Sequence, residues 1–434
     1  MEYLNSLSSD IIEINIIYKN LSILPDLSRF TCLQKLDCSH NRLSQLDNLP
    51  SSLLKLDCSD NELKQLDNLP SSLLILDCSD NELKQLDNLP SSLLKLKCLC
   101  NYQLTQLDNL PSSLQILECS YNKLEKLDNL PSSLQILNCS DNQLTKLDNL
   151  PVSLQKLDCS WNQLIRLDNL PSLKELNCSH NHITQLNKLP SSLKTLDCSW
   201  NNIIQLDNLP SSLQELECSY NQLTQLDNLP HSLQILHCLE NNLTQLDTIR
   251  SSLIELYCSY NRLTRLDNLP YSLQKLECFD NKLRQLDKLP SSLLELNCSN
   301  NKLTQLDNLP SLLKLYCYDN RIIQLDNLPF SLQKLDCSYN QISRLDNLPL
   351  LLQTLYCSDN KMKNCELKYW KEQKEQIKNK KLQVLKEKFN ARKIQRIWRK
   401  YWYDFYKYEL VDGKYIGFCR FIERSYSIIN ESSI

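Results

Sequence analysis

A short pattern of apolar and polar positions returns along most of this 434-residue chain. In the unit that begins at Leu53, the stretch Leu56-Asp57-Cys58 alternates apolar and polar side chains, which is typical of a strand with one buried face. The second half of the unit places further leucines before Pro70-Ser-Ser. Because that half is short and marked by proline, it predicts an extended or turn-like return rather than a helix.

The unit is repeated 17 times, and each copy contains Cys-x-x-Asn. The cysteines are 20 residues apart, except for one interval of 21 and two of 19. A single coil cannot bury its own leucines, so the coils must stack, which joins their strands into one parallel sheet. At ~4.8 Å per strand, such a sheet is on the order of 80 Å long. That length suits a protein partner and far exceeds what a metabolite needs.

Leu33, Leu36, Cys38, Asn41 and Leu43 stand at the spacing L-x-x-L-x-L-x-x-N-x-L, as do their equivalents in the later units. This spacing resembles the leucine-rich-repeat family, with cysteine in place of the third leucine. The resemblance implies a horseshoe-shaped solenoid with a parallel sheet on its concave face and an extended or turn-like convex side with little helix. It also implies an asparagine hydrogen-bond ladder and a protein partner on the concave face. The 20-residue unit is most similar to the repeats of bacterial effector proteins and of uncharacterised giant-virus proteins.

Four segments are predicted: an N-terminal cap with a degenerate first repeat (1–30), the repeats (31–360), a basic amphipathic helix (361–410), and a tail with a hairpin signal (411–434). Residues 361–410 contain 16 basic and 6 acidic residues, and residues 411–434 contain 3 of each. The totals of 48 and 51 leave 29 basic and 42 acidic residues in 1–360. The acidic and basic parts are therefore expected to make different contacts.

The chain begins without a basic leader and has no apolar run of membrane-spanning length. We therefore predict an intracellular protein whose cysteines are reduced.

The basic helix also resembles the IQ motif, through Ile394, Gln395 and Arg399, although Asp404 stands where a second basic residue belongs. A calmodulin-like partner would contact the residues on one helical face and their basic neighbours, namely Ile394, Gln395, Trp398, Arg399, Tyr401 and Phe405. The alternatives are a helix that caps the open end of the solenoid, or one that binds nucleic acid or an anionic membrane. The acidic solenoid opposes binding to either polyanion.

Catalytic and metal-binding patterns are missing from the sequence. Cys-x-x-Asn lacks the paired spacing of a zinc site, so the repeated cysteines are interpreted as a column of small buried hydrophobes. Cys100 is the exception, since we expect it at an exposed strand position, where a reactive thiol is an alternative to a structural cysteine. No glycine-rich phosphate loop occurs in the repeats, and too few residues follow them for a ligase domain. We therefore predict a non-catalytic protein without a cofactor or metal.

The candidate binding residues stand directly before the repeated asparagine, and we call their positions the pre-asparagine row. Large side chains gather there: Tyr121, Trp161, His180, Trp200, Tyr220 and Tyr260. In stacked coils, the four from Trp161 to Tyr220 are neighbours on consecutive strands. Exposed aromatics in a row favour a binding surface for a partner. The alternative is cross-strand stacking that only stiffens the sheet.

Overall fold

The computed structural model describes residues 4, 6–246, 252–286, 288–345, 348–349 and 351–362. The predicted helix of 361–410, its IQ-like residues and the hairpin of 411–434 lie outside the described residues from position 363 onward. No helix in the described part is long and apolar enough to cross a membrane.

Eighteen strands of three residues each follow one another in the part of the chain that the structure describes. They are β1 Glu13–Asn15, β2 Lys35–Asp37, β3 Lys55–Asp57, β4 Ile75–Asp77, β5 Lys95–Lys97, β6 Ile116–Glu118, β7 Ile136–Asn138, β8 Lys156–Asp158, β9 Glu175–Asn177, β10 Thr195–Asp197, β11 Glu215–Glu217, β12 Ile235–His237, β13 Glu255–Tyr257, β14 Lys275–Glu277, β15 Glu295–Asn297, β16 Lys314–Tyr316, β17 Lys334–Asp336 and β18 Thr354–Tyr356.

All the strands pair in parallel, each with the next in sequence, so they form one continuous sheet. The register is strict, because the central residue of each strand is paired with the central residue of the next, as Leu196 is with Leu216. This confirms the solenoid of stacked coils. The strands begin one residue earlier than predicted, because Lys55–Asp57 pairs while Cys58 follows the strand. The Cys58 amide still donates to the Asp77 carbonyl of the next coil.

The core runs the length of the solenoid and consists of leucines with one cysteine per coil. In the coil of β10, Leu193, Leu196 and Cys198 are buried on the strand side, and Ile203 and Leu206 are buried on the return. Equivalent positions are buried in nearly every coil, so each coil adds the same apolar surface to one shared core.

The return half of each coil is extended and ends in a tight turn, as predicted. The leucine that closes Pro-Ser-Ser-Leu donates its amide to the proline carbonyl, as Leu213 does to Pro210 at 3.0 Å. The second serine then links neighbouring coils, since Ser212 Oγ donates to the Leu193 carbonyl at 2.6 Å. The Asn of Leu-Asp-Asn-Leu has a positive φ, 54° at Asn208, a conformation that asparagine tolerates better than most residues.

Candidate functional site

The repeated asparagine fixes the chain where it leaves each strand. Asn201 Oδ1 accepts a hydrogen bond from the Ile183 amide at 2.9 Å. Its Nδ2 group donates to the carbonyls of Cys178, Cys198 and Ser199 at 3.0–3.1 Å. Each of these contacts recurs in most of the described coils, so the predicted ladder is confirmed. The ladder holds the residue before each asparagine in a repeated position along the edge of the sheet.

Every residue of the pre-asparagine row, from His40 to Asp359, has a positive φ in the structure, between 49° and 56°. For a residue with a Cβ this left-handed conformation costs roughly 1–2 kcal/mol, and asparagine and aspartate bear it best. The row does contain Asp at several positions and Asn300 at one. Trp161 and Trp200, at φ 53°, occupy the same backbone without that advantage. An aromatic residue in the row is therefore less favourable for the backbone conformation than aspartate or asparagine would be.

Four of the predicted site residues form one continuous stack of rings, which we call the aromatic stack: Trp161, His180, Trp200 and Tyr220. Ring centroids are 3.7 Å apart from Trp161 to His180, 5.1 Å from His180 to Trp200 and 3.9 Å from Trp200 to Tyr220. Neighbouring planes differ by only 10–12°. The residues Trp161 and Trp200 nevertheless remain 54% and 48% exposed. The stack is thus a wide apolar surface with open edges.

The other two predicted residues lie in the row but outside the stack. Tyr121 is separated from Trp161 by Asp141, whose carboxylate accepts a hydrogen bond from Tyr121. Tyr260 follows Glu240 and packs edge-on against Phe279, with centroids 4.8 Å apart. Both tyrosines are substantially exposed. The row therefore alternates aromatic and acidic side chains on either side of the stack.

His180 is enclosed between the two indoles of the stack. Burial there lowers the pKa of its imidazole below the ordinary value, while Asp197 and Asp141 act in the opposite direction. The imidazole is accordingly neutral at pH 7.

The acidic residues at the end of the strands stabilise the following turn, a role that was not predicted from the sequence. Asp197 Oδ1 accepts hydrogen bonds from the Ser199 amide at 3.0 Å and from its hydroxyl at 2.7 Å. Asn177 makes the same pair of bonds to Ser179. An aspartate or asparagine followed two residues later by such a donor is a local turn motif. Part of the acidity of the sheet face therefore stabilises the turn that leads into the row.

The repeated cysteines lie buried in a single column, which confirms the structural interpretation. Their thiols reach the backbone of the next coil, as Cys58 Sγ does to the Asp77 carbonyl at 3.3 Å. Burial raises the pKa of Cys198 and Cys218 well above the ordinary thiol value, so both stay protonated. The described residues contain no group of three or more side chains that could hold a metal ion.

Cys100 does not lie at the exposed strand position predicted for it. It lies in the pre-asparagine row, three residues after β5 ends, and is half-buried. Burial, and then the nearby Asp80, raise the pKa of its thiol. The predicted position is wrong because Cys100 is on the turn that follows the strand. The carboxylate next to it disfavours the thiolate, which argues against the alternative of a reactive thiol.

Two features of the exposed face were not predicted. Tyr18 stacks on His40 with centroids 4.3 Å apart, which extends the row into the degenerate first repeat. Farther along, Lys275 donates to Tyr257 at 3.0 Å and pairs with Glu277 at 3.0 Å. This cluster borders a shallow cavity of about 300 Å³ that reaches Tyr316. The place of Tyr18 in the row could have been predicted from the sequence. Tyr18 stands two residues after Ile16, which occupies the position of the column cysteine, and each row residue stands two residues after its cysteine.

The Leucine Rich Repeat family model matches residues 192–216. The solved structure of YopM from Yersinia enterocolitica is 35% identical, with a TM-score of 0.70, over 82% of this chain and 88% of that chain. The chain belongs to the leucine-rich-repeat family. YopM of Yersinia pestis, described as a leucine-rich effector protein, is 30% identical over 80% of this chain and 88% of its own, with a TM-score of 0.59.

A leucine-rich-repeat protein of Leptospira interrogans is 25% identical over 84% of this chain and 94% of its own, with a TM-score of 0.53. The predicted similarity to bacterial effector repeats is thereby confirmed, while the similarity to giant-virus proteins stays a prediction. No curated protein sequence matches the chain significantly.

Proposed function

We propose that this leucine-rich-repeat protein is a non-catalytic scaffold that holds a protein partner on the concave face, and that the partner also contacts the pre-asparagine row, which lies on the turns at the edge of that face rather than on the strands. The residues we assign to the contact are Tyr121, Trp161, His180, Trp200, Tyr220 and Tyr260. Neither a cofactor nor a metal takes part in this function.

The observation that carries the proposal is the presence of large exposed rings on backbone that disfavours them. Replacing aspartate or asparagine by tryptophan at φ 53° costs part of the roughly 1–2 kcal/mol of left-handed strain. Ring stacking returns about 0.5–1.5 kcal/mol per pair. About half of the surface of each tryptophan residue stays in water, so burial within the chain contributes little more. Strain of this kind gathers at functional sites, and a partner that covers the rings would supply the missing stabilisation.

The alternative, in which ring stacking only stiffens the sheet, accounts for fewer of the aromatic residues in the row. Rings stiffen neighbouring coils only where they touch, and Tyr121 is separated from the stack by Asp141. Tyr339, at φ 53°, is 59% exposed and lies between Asp319 and Asp359 in the row. Such positions retain the backbone cost without extending a stack, which favours binding over stiffening.

Quantitative affinity capture tests the proposal. The full chain, a Trp161→Asn/Trp200→Asn double variant and a Tyr271→Ala control are each used as bait, and captured proteins are compared by mass spectrometry. Asparagine suits the left-handed backbone, as Asn300 shows at φ 49°, so the fold is kept. Tyr271 is 90% exposed and lies in the turn before β14, away from the row.

The partner should be retained by the wild type and the control and depleted at least about tenfold by the double variant, as expected for two hot-spot residues. Circular dichroism should be the same for all three proteins. Identical captured sets for all three baits would overturn the proposal.

The alternative, in which the basic segment 361–410 binds a calmodulin-like protein, nucleic acid or an anionic membrane, stays a prediction, because its residues lie almost wholly outside the described part.

A further inference from the structure

The aromatic stack has two ring faces that no other ring of the row covers. Inside it, both faces of His180 and Trp200 are covered by neighbours at 3.7–5.1 Å. The outer face of Trp161 at one end and that of Tyr220 at the other have no ring against them within the row, since the adjacent row residues are acidic. A partner can therefore stack on the rings only at the two ends, and it meets ring edges elsewhere.

A carboxylate stands beside each free face. Asp141 precedes Trp161 in the row, and Glu240 follows Tyr220. Consecutive coils are about 4.8 Å apart, so each acidic residue is one coil from the terminal ring, and the Asp141 carboxylate also accepts a hydrogen bond from Tyr121. A planar cation placed on such a ring would meet the negative face of the π system and the carboxylate together.

The whole row is suited to cations. From Tyr18 to Asp359 it contains 18 residues, and neither Lys nor Arg is among them. Seven are acidic: Asp60, Asp80, Asp141, Glu240, Asp280, Asp319 and Asp359. Among the residues that stand before the column cysteines, Lys97 is the single Lys or Arg, and it lies between Asp77 at 3.7 Å and Glu118 at 3.5 Å. The row itself thus carries a net negative charge interrupted by rings, although basic residues such as Lys123 and Arg262 follow some of its asparagines.

We propose that the row binds an arginine-rich segment of the partner protein, with one guanidinium on the outer face of Trp161 beside Asp141 and another on that of Tyr220 beside Glu240. Arginine fits better than lysine because its planar group stacks on a ring while its N–H groups pair with the carboxylate. This inference rests on the proposed function and adds the chemistry of the partner to it.

Fluorescence anisotropy with labelled peptides tests the inference on the full chain. The probes are a twelve-residue arginine–glycine repeat and the matching lysine–glycine repeat, which carries the same charge. The arginine peptide should bind about fivefold more tightly, the order expected for added ring stacking by the guanidinium. Equal affinities would show that charge alone is recognised and would overturn the inference.

Three variants locate the contact. Trp161→Asn removes a free ring face, Asp141→Asn removes its carboxylate, and Trp200→Asn removes a ring whose faces are both covered; asparagine suits the backbone in each. The first two should weaken arginine-peptide binding about three- to tenfold and abolish the preference over lysine. Trp200→Asn should weaken it less than Trp161→Asn. An equal effect of the two tryptophans, or none from Asp141→Asn, would overturn the placement at the stack ends.

The outcome is separable from that of the proposed function. If no variant affects the peptides while the double tryptophan variant still loses the captured partner, the row binds a partner and the arginine chemistry is wrong. If the double tryptophan variant also retains the captured partner, the proposed function itself is wrong.

Discussion

Replacing one ladder asparagine, Asn201→Ala, tests how the coil edge is held. The substitution removes the acceptor of the Ile183 amide and a donor to three carbonyls. Each carbonyl keeps another donor, since the Cys178 carbonyl retains Asn181 Nδ2 and the Cys198 carbonyl retains Asn221 Nδ2. The Ser199 carbonyl retains the backbone amide of His180. The Ile183 amide is therefore the group that loses its acceptor in the buried interior.

The expected loss of stability follows from the contrast between the amide, which loses its acceptor, and the carbonyls, which each keep a donor. A buried amide left without an acceptor costs about 1–3 kcal/mol, and the weakened carbonyl contacts add about 1 kcal/mol. We expect the free energy of unfolding to fall by about 2–4 kcal/mol. A control is next in sequence: Asn202 is exposed, and its side chain accepts only a long hydrogen bond, 3.4 Å from Gln222. Asn202→Ala should change stability by less than about 0.5 kcal/mol.

Urea unfolding followed by circular dichroism measures both variants against the wild type. The slope of the transition should stay unchanged if the solenoid unfolds as one unit. A loss in Asn201→Ala no larger than in Asn202→Ala would refute the ladder as the element that fixes the coil edge.

Other predictions follow from the core and the stack. Leu196→Ala, at a buried strand centre, should cost about 2–5 kcal/mol in urea unfolding; a smaller loss than about 1 kcal/mol would contradict a close-packed core. Exposed Cys32 should react with a thiol reagent far faster than buried Cys198 and Cys218 in the native protein, and equal rates native and denatured would contradict the buried column. Burial raises the pKa of Cys38 to about 12, so the stability that its protonated thiol contributes is present below the ordinary thiol pKa and is lost as pH rises toward about 12. The lowered pKa of His180 has the opposite sign: its contribution is present above the ordinary histidine pKa and is lost on acidification. The melting temperature of the wild type should therefore fall relative to His180→Phe between about pH 7 and about pH 5, and parallel curves would contradict this.

The sequence predicted the coil well because one pattern determines every coil. Cys-x-x-Asn at a fixed interval places the buried cysteine and the ladder asparagine, and stacking then locks the register. The strand ends were misplaced by one residue because alternation of apolar side chains reports burial, whereas strand assignment reports backbone pairing. Cys58 is buried but already belongs to the turn.

The site was predicted only in outline. Neighbouring positions of Trp161, His180, Trp200 and Tyr220 follow from the register, so their proximity could be read from the sequence. Their common ring orientation depends on the left-handed backbone before each asparagine, which no apolar pattern reveals. The bonds from Asp197 to Ser199 were missed for a similar reason, because they depend on local turn geometry.

Site-specific photo-crosslinking tests the central claim, that the pre-asparagine row contacts a protein partner, most directly. A photoreactive phenylalanine analogue is placed at position 161, 200 or 271 of the full chain, and adducts are identified by mass spectrometry. Positions 161 and 200 should crosslink to the same partner protein, and position 271, in the turn before β14, should not. Adducts of that partner at position 271 alone, or equal yields at all three positions, would contradict it.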